Sequence, residues 1–150
     1  MFVWAKRVGR VILVLMLAGQ LVPVNRRNPP VDPSKTIYTT QNVPPRVRLV
    51  LERSCKNCHS NETAWPWYSH VAPLSWWIAR DVHRARKAMN FSEWGRYSTK
   101  RKEDKLEEMC DQVTNGDMPD SMYLLVHREA VVTPQERNAV CQWTEDAREY

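Results

Sequence analysis

In the stretch SCKNCHSNETAWPWYSH, residues 54–70, Cys55 and Cys58 stand two residues apart and His59 follows at once. This spacing restricts the chain more than any other feature, because few chemistries use it. A thioredoxin-like dithiol sits in a strand–helix–strand context, and no convincing strand pattern occurs here. A structural zinc ion takes four ligands. Cys55, Cys58 and His59 are three, and two adjacent residues reach one tetrahedral ion only with difficulty. Cys-x-x-Cys-His instead meets the needs of a covalently held haem. Both thiols add to the porphyrin vinyl groups, and the next imidazole comes under the iron as its proximal ligand. The spacing points to one haem c on Cys55 and Cys58, with His59 on the iron.

The rest of the chain reads as all-α. Pro44 and Pro45 suit a first helical turn. Val47, Val50, Leu51, Ser54, Cys55 and Cys58 follow at i, i+3, i+4, i+7, i+8 and i+11, so one helix is expected to carry the cysteines on its buried stripe. A second pattern runs from Pro73 to near Asn90, with Leu74, Trp77, Ile78, Val82, Ala85 and Met89 on one side. A third begins at Ser98 or Thr99, buries Leu106, Met109, Cys110 and Val113, and stops at Asn115-Gly116. The fourth opens on Thr133 as N-cap, with Pro134 in the first turn and Glu136 closing a capping box. Val140, Trp143 and Ala147 face inward along it. The seven tryptophans serve either a core or flat walls around a planar ligand.

A net charge of +5 invites a nucleic-acid reading. Its location removes that reading. Lys6, Arg7, Arg10, Arg26 and Arg27 carry the excess, and the rest of the chain holds 17 basic and 17 acidic residues. The basic residues bracket the apolar run Val11–Val24, which is the pattern of an export segment. Met16 and Leu17 are too bulky for a good cleavage site before Ala18 or Gly19, so an uncleaved anchor is favoured over a removed signal. The 14-residue run spans about 21 Å, and reaching back to Phe2 and Trp4 gives membrane length if the cations snorkel. Residues 1–24 are thus expected to be a transmembrane or signal-anchor helix in the lipid bilayer. Residues 25–43 read as a Pro-rich linker, and residues 44–150 as one haem domain.

The sixth iron ligand must come from Met118, Met122, His70, His83 or His127. Met118 lies in NGDMPD, after a glycine that turns the backbone and before a proline that stiffens it. It is favoured to reach the iron opposite His59. His70 is the rival, behind the Trp-Pro-Trp-Tyr run. Cys110 and Cys141 lie on different helices and are either a disulfide or two buried thiols. Residues 80–102 are basic and 103–120 acidic, which reads as two mutually attracting solvated faces or as a docking patch.

The chain resembles the small bacterial haem-binding-domain cytochromes, a branch of the cytochrome c group. The matching residues are QLVPVNRRNPPV, CKNCHSNETAWPWYSHVAPLSWWIARDV, NFSEW, GDMP and YLLVH. The resemblance implies a cytochrome c-like fold, a single covalent haem on Cys55 and Cys58, and iron held by His59 and Met118. It also implies an N-terminal anchor.

His/Met iron stays six-coordinate in both oxidation states, and no acid–base–nucleophile constellation appears. The expected function is electron transfer to or from a membrane redox complex or other cytochromes, not enzymatic catalysis. No small-molecule substrate and no nucleic-acid partner is expected. The alternatives are a haem enzyme or gas sensor with an open or labile sixth position, and an assembly subunit whose haem nucleates the fold. The export segment places the chain in the inner (cytoplasmic) membrane, single-pass, with the haem domain on the periplasmic side.

Overall fold

The computed structural model describes residues 2–149. Eight α-helices follow one another among the described residues: α1 (Phe2–Gly19), α2 (Ile37–Thr40), α3 (Pro45–Val50), α4 (Lys56–His59), α5 (Leu74–Ala88), α6 (Thr99–Asn115), α7 (Ser121–Val126) and α8 (Pro134–Asp146). Short 3-10 turns cover Pro33–Lys35, Trp67–His70, Phe91–Arg96 and Arg128–Ala130. No strand occurs among the described residues, so the all-α expectation holds.

The longer helices begin and end where local chemistry dictates. Ser98 caps α6 by accepting from the Arg101 N–H, and Gly116 closes it in the left-handed region at φ 78°. Thr133 and Glu136 form the expected reciprocal capping box on α8. Asp120 caps α7, a helix the periodicity did not reveal, by accepting from the Met122 and Tyr123 N–H groups. The core gathers Ile37, Val47, Val50, Leu51, Phe91, Trp94, Leu106, Met109, Val140 and Trp143.

The helix expected to run unbroken from Pro45 to Cys58 is interrupted. Over Leu51–Cys55 the turn widens to a π-helix, and the Lys56 N–H reaches back five residues to the Leu51 carbonyl. One extra residue in a turn sets everything after it back by about 100°. Val47, Val50, Leu51 and Ser54 keep the buried stripe, but the phase then changes. Cys55 and Cys58 are half-buried, and His59 is the buried side chain instead.

Arg53 ties this region to α8 and to the segment just before it. Arg53 donates to Glu136 Oε1 at 2.9 Å and Oε2 at 3.0 Å, and to the Val131 carbonyl at 3.1 Å. The Arg53 hydrogen bond is the main cause that pulls the Glu136 carboxyl from 4.5 down to about 2. A depressed carboxyl stabilises the fold above its unfolded value and loses that contribution as the pH falls through the folded one. Acid unfolding should therefore steepen between pH 4.5 and about 2. Glu136→Gln should flatten that limb and cost about 1–2 kcal/mol at neutral pH, a figure discounted for solvent screening. Equal acid limbs in denaturant titrations of the two proteins would refute this.

Cys110 of α6 and Cys141 of α8 form a disulfide that spans 31 residues. A bridge over such a loop stabilises by about 3–4 kcal/mol in the chain-entropy model. Non-reducing mass spectrometry should find both thiols protected from alkylation after unfolding, and Cys110→Ser should lower stability by about that amount. Free thiols would refute the bridge.

Residues 25–43, read as a Pro-rich linker, are packed and hydrogen-bonded to the rest of the chain. Ile37 is fully buried in the core. A Cβ on Gly95 would come within 3.1 Å of the Lys35 Cα, so the 33–40 segment lies directly on the 91–96 turn. Arg86 ties Asn28 Oδ1 (2.6 Å) to Thr63 Oγ1 (2.7 Å) and the Ser60 carbonyl (2.7 Å). Asn28 donates to the Thr63 carbonyl at 2.9 Å, and Asn61 to the Pro30 carbonyl at 3.2 Å. Further back, Gln20 exchanges two hydrogen bonds with the Ala72 backbone, at 3.0 and 3.3 Å.

Helix α1 exposes Val11, Ile12, Leu13, Val14, Leu15 and Leu17. Among the described residues no helix is long and apolar enough to cross a membrane, so a transmembrane α1 finds no support in the structure. Lys6, Arg7 and Arg10, all within α1, are the reason its apolar run stays short. The ion pairs of the acidic stretch 103–120 run within α6 and to α8. The acidic residues of α6 pair along α6, as Lys100–Asp104 does at 3.4 Å, or with α8, as Glu107–Arg148 does at 3.0 Å.

Candidate functional site

His59 ends α4 with 9% of its surface exposed. Its Nδ1 lies 3.1 Å from the Met89 carbonyl oxygen. A carbonyl only accepts, so Nδ1 carries the hydrogen and Nε2 keeps a lone pair. Burial is the main cause that holds this imidazole below its usual pKa, which favours the neutral ligand form. Phe91 stacks on the ring at 6.1 Å and 30°. An imidazole with one nitrogen committed to a backbone carbonyl has the set orientation and basicity of a metal ligand.

Cys55 and Cys58 are the free thiols, in contrast to the bonded Cys110 and Cys141. Burial, above all other causes, pushes the Cys55 thiol up to about 12 and the Cys58 thiol up to about 11. A redox dithiol needs a lowered pKa to expose thiolate, so these two are poorly suited to disulfide exchange. Among the described residues, no group of three or more His, Cys, Asp and Glu side chains could hold a metal ion, which leaves the zinc reading without a ligand set.

Asp81 of α5 and Asp120 of the loop after α6 both raise the Cys58 thiol, and Arg86 opposes them. The loop that carries Met118 therefore lies within electrostatic reach of the motif. The Met118 N–H donates to the Gln112 carbonyl at 3.1 Å, and its side chain is 38% exposed. Met122 is more exposed, on α7. His70 and His83 lie at the surface. His127 has both ring nitrogens engaged, one with the Tyr68 hydroxyl at 2.6 Å and one with Glu129 at 3.0 Å. It also stacks on Tyr123 at 4.2 Å, whose hydroxyl accepts from Asn57 at 3.4 Å. That ring of contacts beside Cys58 is a structural role for His127 that spacing did not disclose. WPWY and YLLVH were its sequence trace.

The surroundings fit a large flat group. Leu74 and Trp77, expected on the inward side of α5, are about half exposed, at 47% and 53%. The same helix carries Asp81, which acts on Cys58 one turn further on. Tyr38, raised mainly by burial and in part by the nearby Cys55, has a buried hydroxyl with no hydrogen-bond partner. Half-exposed apolar side chains on α5 and an orphaned buried donor near Cys55 are the features that a bound group would cover or satisfy.

The chain belongs to the Haem-binding domain family, whose model matches residues 14–146. Its cofactor is accordingly a haem. No curated protein and no solved structure is similar to the chain.

Proposed function

We propose that the protein is a mono-haem c-type electron carrier. Cys55 and Cys58 would each add a thiol across a porphyrin vinyl group. Each addition would form a sulfur–carbon bond and leave the thiol hydrogen on the neighbouring carbon, with no oxidant consumed. His59 would hold the iron through Nε2, and Met118 would supply a second protein ligand. When bound, the haem iron accepts and releases one electron. The chain's own residues orient the imidazole, keep the thiols neutral until they react, and cover the ring with Leu74, Trp77 and the Met118 loop. The observation that carries the reading is the Nδ1 contact of His59 with Met89 O at 3.1 Å, directly after two unpaired cysteines.

Redox titration followed by visible spectroscopy tests it. One one-electron transition with a low-spin, six-coordinate ferrous spectrum is expected. A high-spin ferrous form would move the reading to the alternative, a haem enzyme or gas sensor with an open sixth position.

The exposed apolar side chains of α1, bracketed by Lys6, Arg7 and Arg10 before them and Arg26 and Arg27 after, support lipid association on the extracytoplasmic side of the inner membrane. The hydrogen bonds of residues 20–30 would then hold the haem domain close to the bilayer, without a swinging tether. The partner would be a membrane redox complex or another cytochrome. Flotation with anionic lipid vesicles tests the lipid part, and a chain left wholly at the bottom of the gradient would refute it.

A further inference from the structure

His59 is held by a frame whose other members no metal-binding motif names. Three rungs join the loop after the motif to the turn after α5. In the first, His59 Nδ1 donates to the Met89 carbonyl at 3.1 Å. In the second, Asn90 Nδ2 donates to Asn61 Oδ1 at 2.8 Å. In the third, the Asn61 N–H donates to Ser92 Oγ at 3.0 Å. Asn90 is itself fixed at both ends. Its N–H donates to the Tyr97 hydroxyl at 2.9 Å, and its Oδ1 accepts from the Ser92 N–H at 3.0 Å. Asn61, Asn90 and Ser92 are all buried, at 3%, 7% and 2% exposure, so each lost bond would strand a polar group away from water.

The geometry determines what the frame controls. Helix α5 ends when the Met89 N–H bonds the Ala85 carbonyl, and Met89 then turns to extended backbone. The Met89 carbonyl belongs to the peptide unit whose N–H is that of Asn90. A peptide is planar, so the Tyr97 hydroxyl that holds the Asn90 N–H also sets the direction of the Met89 C=O. That direction decides how well the oxygen accepts from His59. We propose that Asn61, Asn90, Ser92 and Tyr97 are positioning residues for His59, and that they set the haem iron's potential through the strength of the His59 Nδ1–H bond. This inference rests on the reading of His59 as the iron ligand.

The sign follows from the chemistry. A strong Nδ1–H···O=C bond makes the imidazole a better electron donor and favours ferric iron. A weakened bond favours ferrous iron and raises the potential. Tyr97→Phe is the mildest probe, because the ring keeps its place against Trp94 and under Arg101. Ser92→Ala is the second.

The experiment uses the full-length holoprotein labelled with ¹⁵N-histidine. In the wild type, His59 should show hyperfine-shifted signals and slow exchange of its Nδ1 proton with solvent. Each variant should exchange that proton at least tenfold faster. Each should also shift the ferric/ferrous equilibrium about tenfold toward ferrous, which is about 59 mV upward for one electron. Variants that lose stability but keep the wild-type potential and exchange rate would overturn the frame while leaving His59 as the ligand. A wild type with no hyperfine-shifted His59 would overturn the ligand reading, and the frame's role with it.

Discussion

Replacing both motif cysteines, Cys55→Ala with Cys58→Ala, is expected to take the covalently bound haem from one per chain to none. Neither thiol is in a disulfide, and only Cys55 packs against the hydrophobic core. The change therefore removes attachment without breaking a fold element directly. The indirect effect should be large all the same. Leu74 and Trp77 are half exposed in the protein alone. Covering an apolar side chain of that size is worth about 1.5–3 kcal/mol. A cofactor that binds only the folded state adds its binding free energy to stability. The double variant should thus melt well below the holoprotein, by an amount on the order of several kcal/mol. Each single variant should keep one thioether and fall between. Thermal melts followed at a haem band and in the far ultraviolet would measure both effects. Full covalent haem in the double variant would place the attachment elsewhere.

The second large effect is expected at the sixth coordination position. Met118→Ala should lower the potential, because the thioether favours ferrous iron. It should also open the ferrous site to carbon monoxide. A competing axial ligand worth about 3 kcal/mol weakens an incoming ligand roughly a hundredfold, so its removal should tighten apparent binding by that factor. Met122→Ala, on the exposed α7, should change neither property. The ferric wild type should show the weak charge-transfer absorbance of an iron–thioether bond, and Met118→Ala should lack it. If Met122→Ala abolishes the band instead, the role passes to Met122. If the wild type has no such band, His70 becomes the candidate, since both nitrogens of His127 are engaged.

What could be read in the sequence was what neighbouring residues decide among themselves. Thr133 and Glu136 close their box within one turn, and Ser98 and Gly116 bound α6, so both long C-terminal helices were visible. The cysteines and His59 were visible as a motif for the same reason. The π-helical turn at Leu51–Cys55 was not, because the 3.6-residue stripe through Cys58 looked unbroken. The phase is set by distant partners: the Met89 carbonyl takes His59 inward, and Glu136 of α8 holds Arg53.

The contacts of residues 25–43 were hidden for a related reason. Their prolines and polar side chains carry no period. Their bonds run from Asn28 to Thr63 and from Asn61 to Pro30, across more than 30 positions of chain. The pairing of Cys110 with Cys141 joins two helices that the sequence showed only separately. Helix α7 is six residues long, too short for a periodic signal, though Asp120 was a cap in plain view. The frame around His59 lay in NFSEW, which had no chemical meaning until Asn90 and Ser92 were seen to meet Asn61.

The most direct measurement is mass spectrometry of the chain isolated from its native host after acid–acetone extraction, followed by peptide mapping. The account predicts one haem per chain that survives extraction, carried by the peptide that contains Cys55, Cys58 and His59. Haem released into the acetone, or retained on any other peptide, would contradict it.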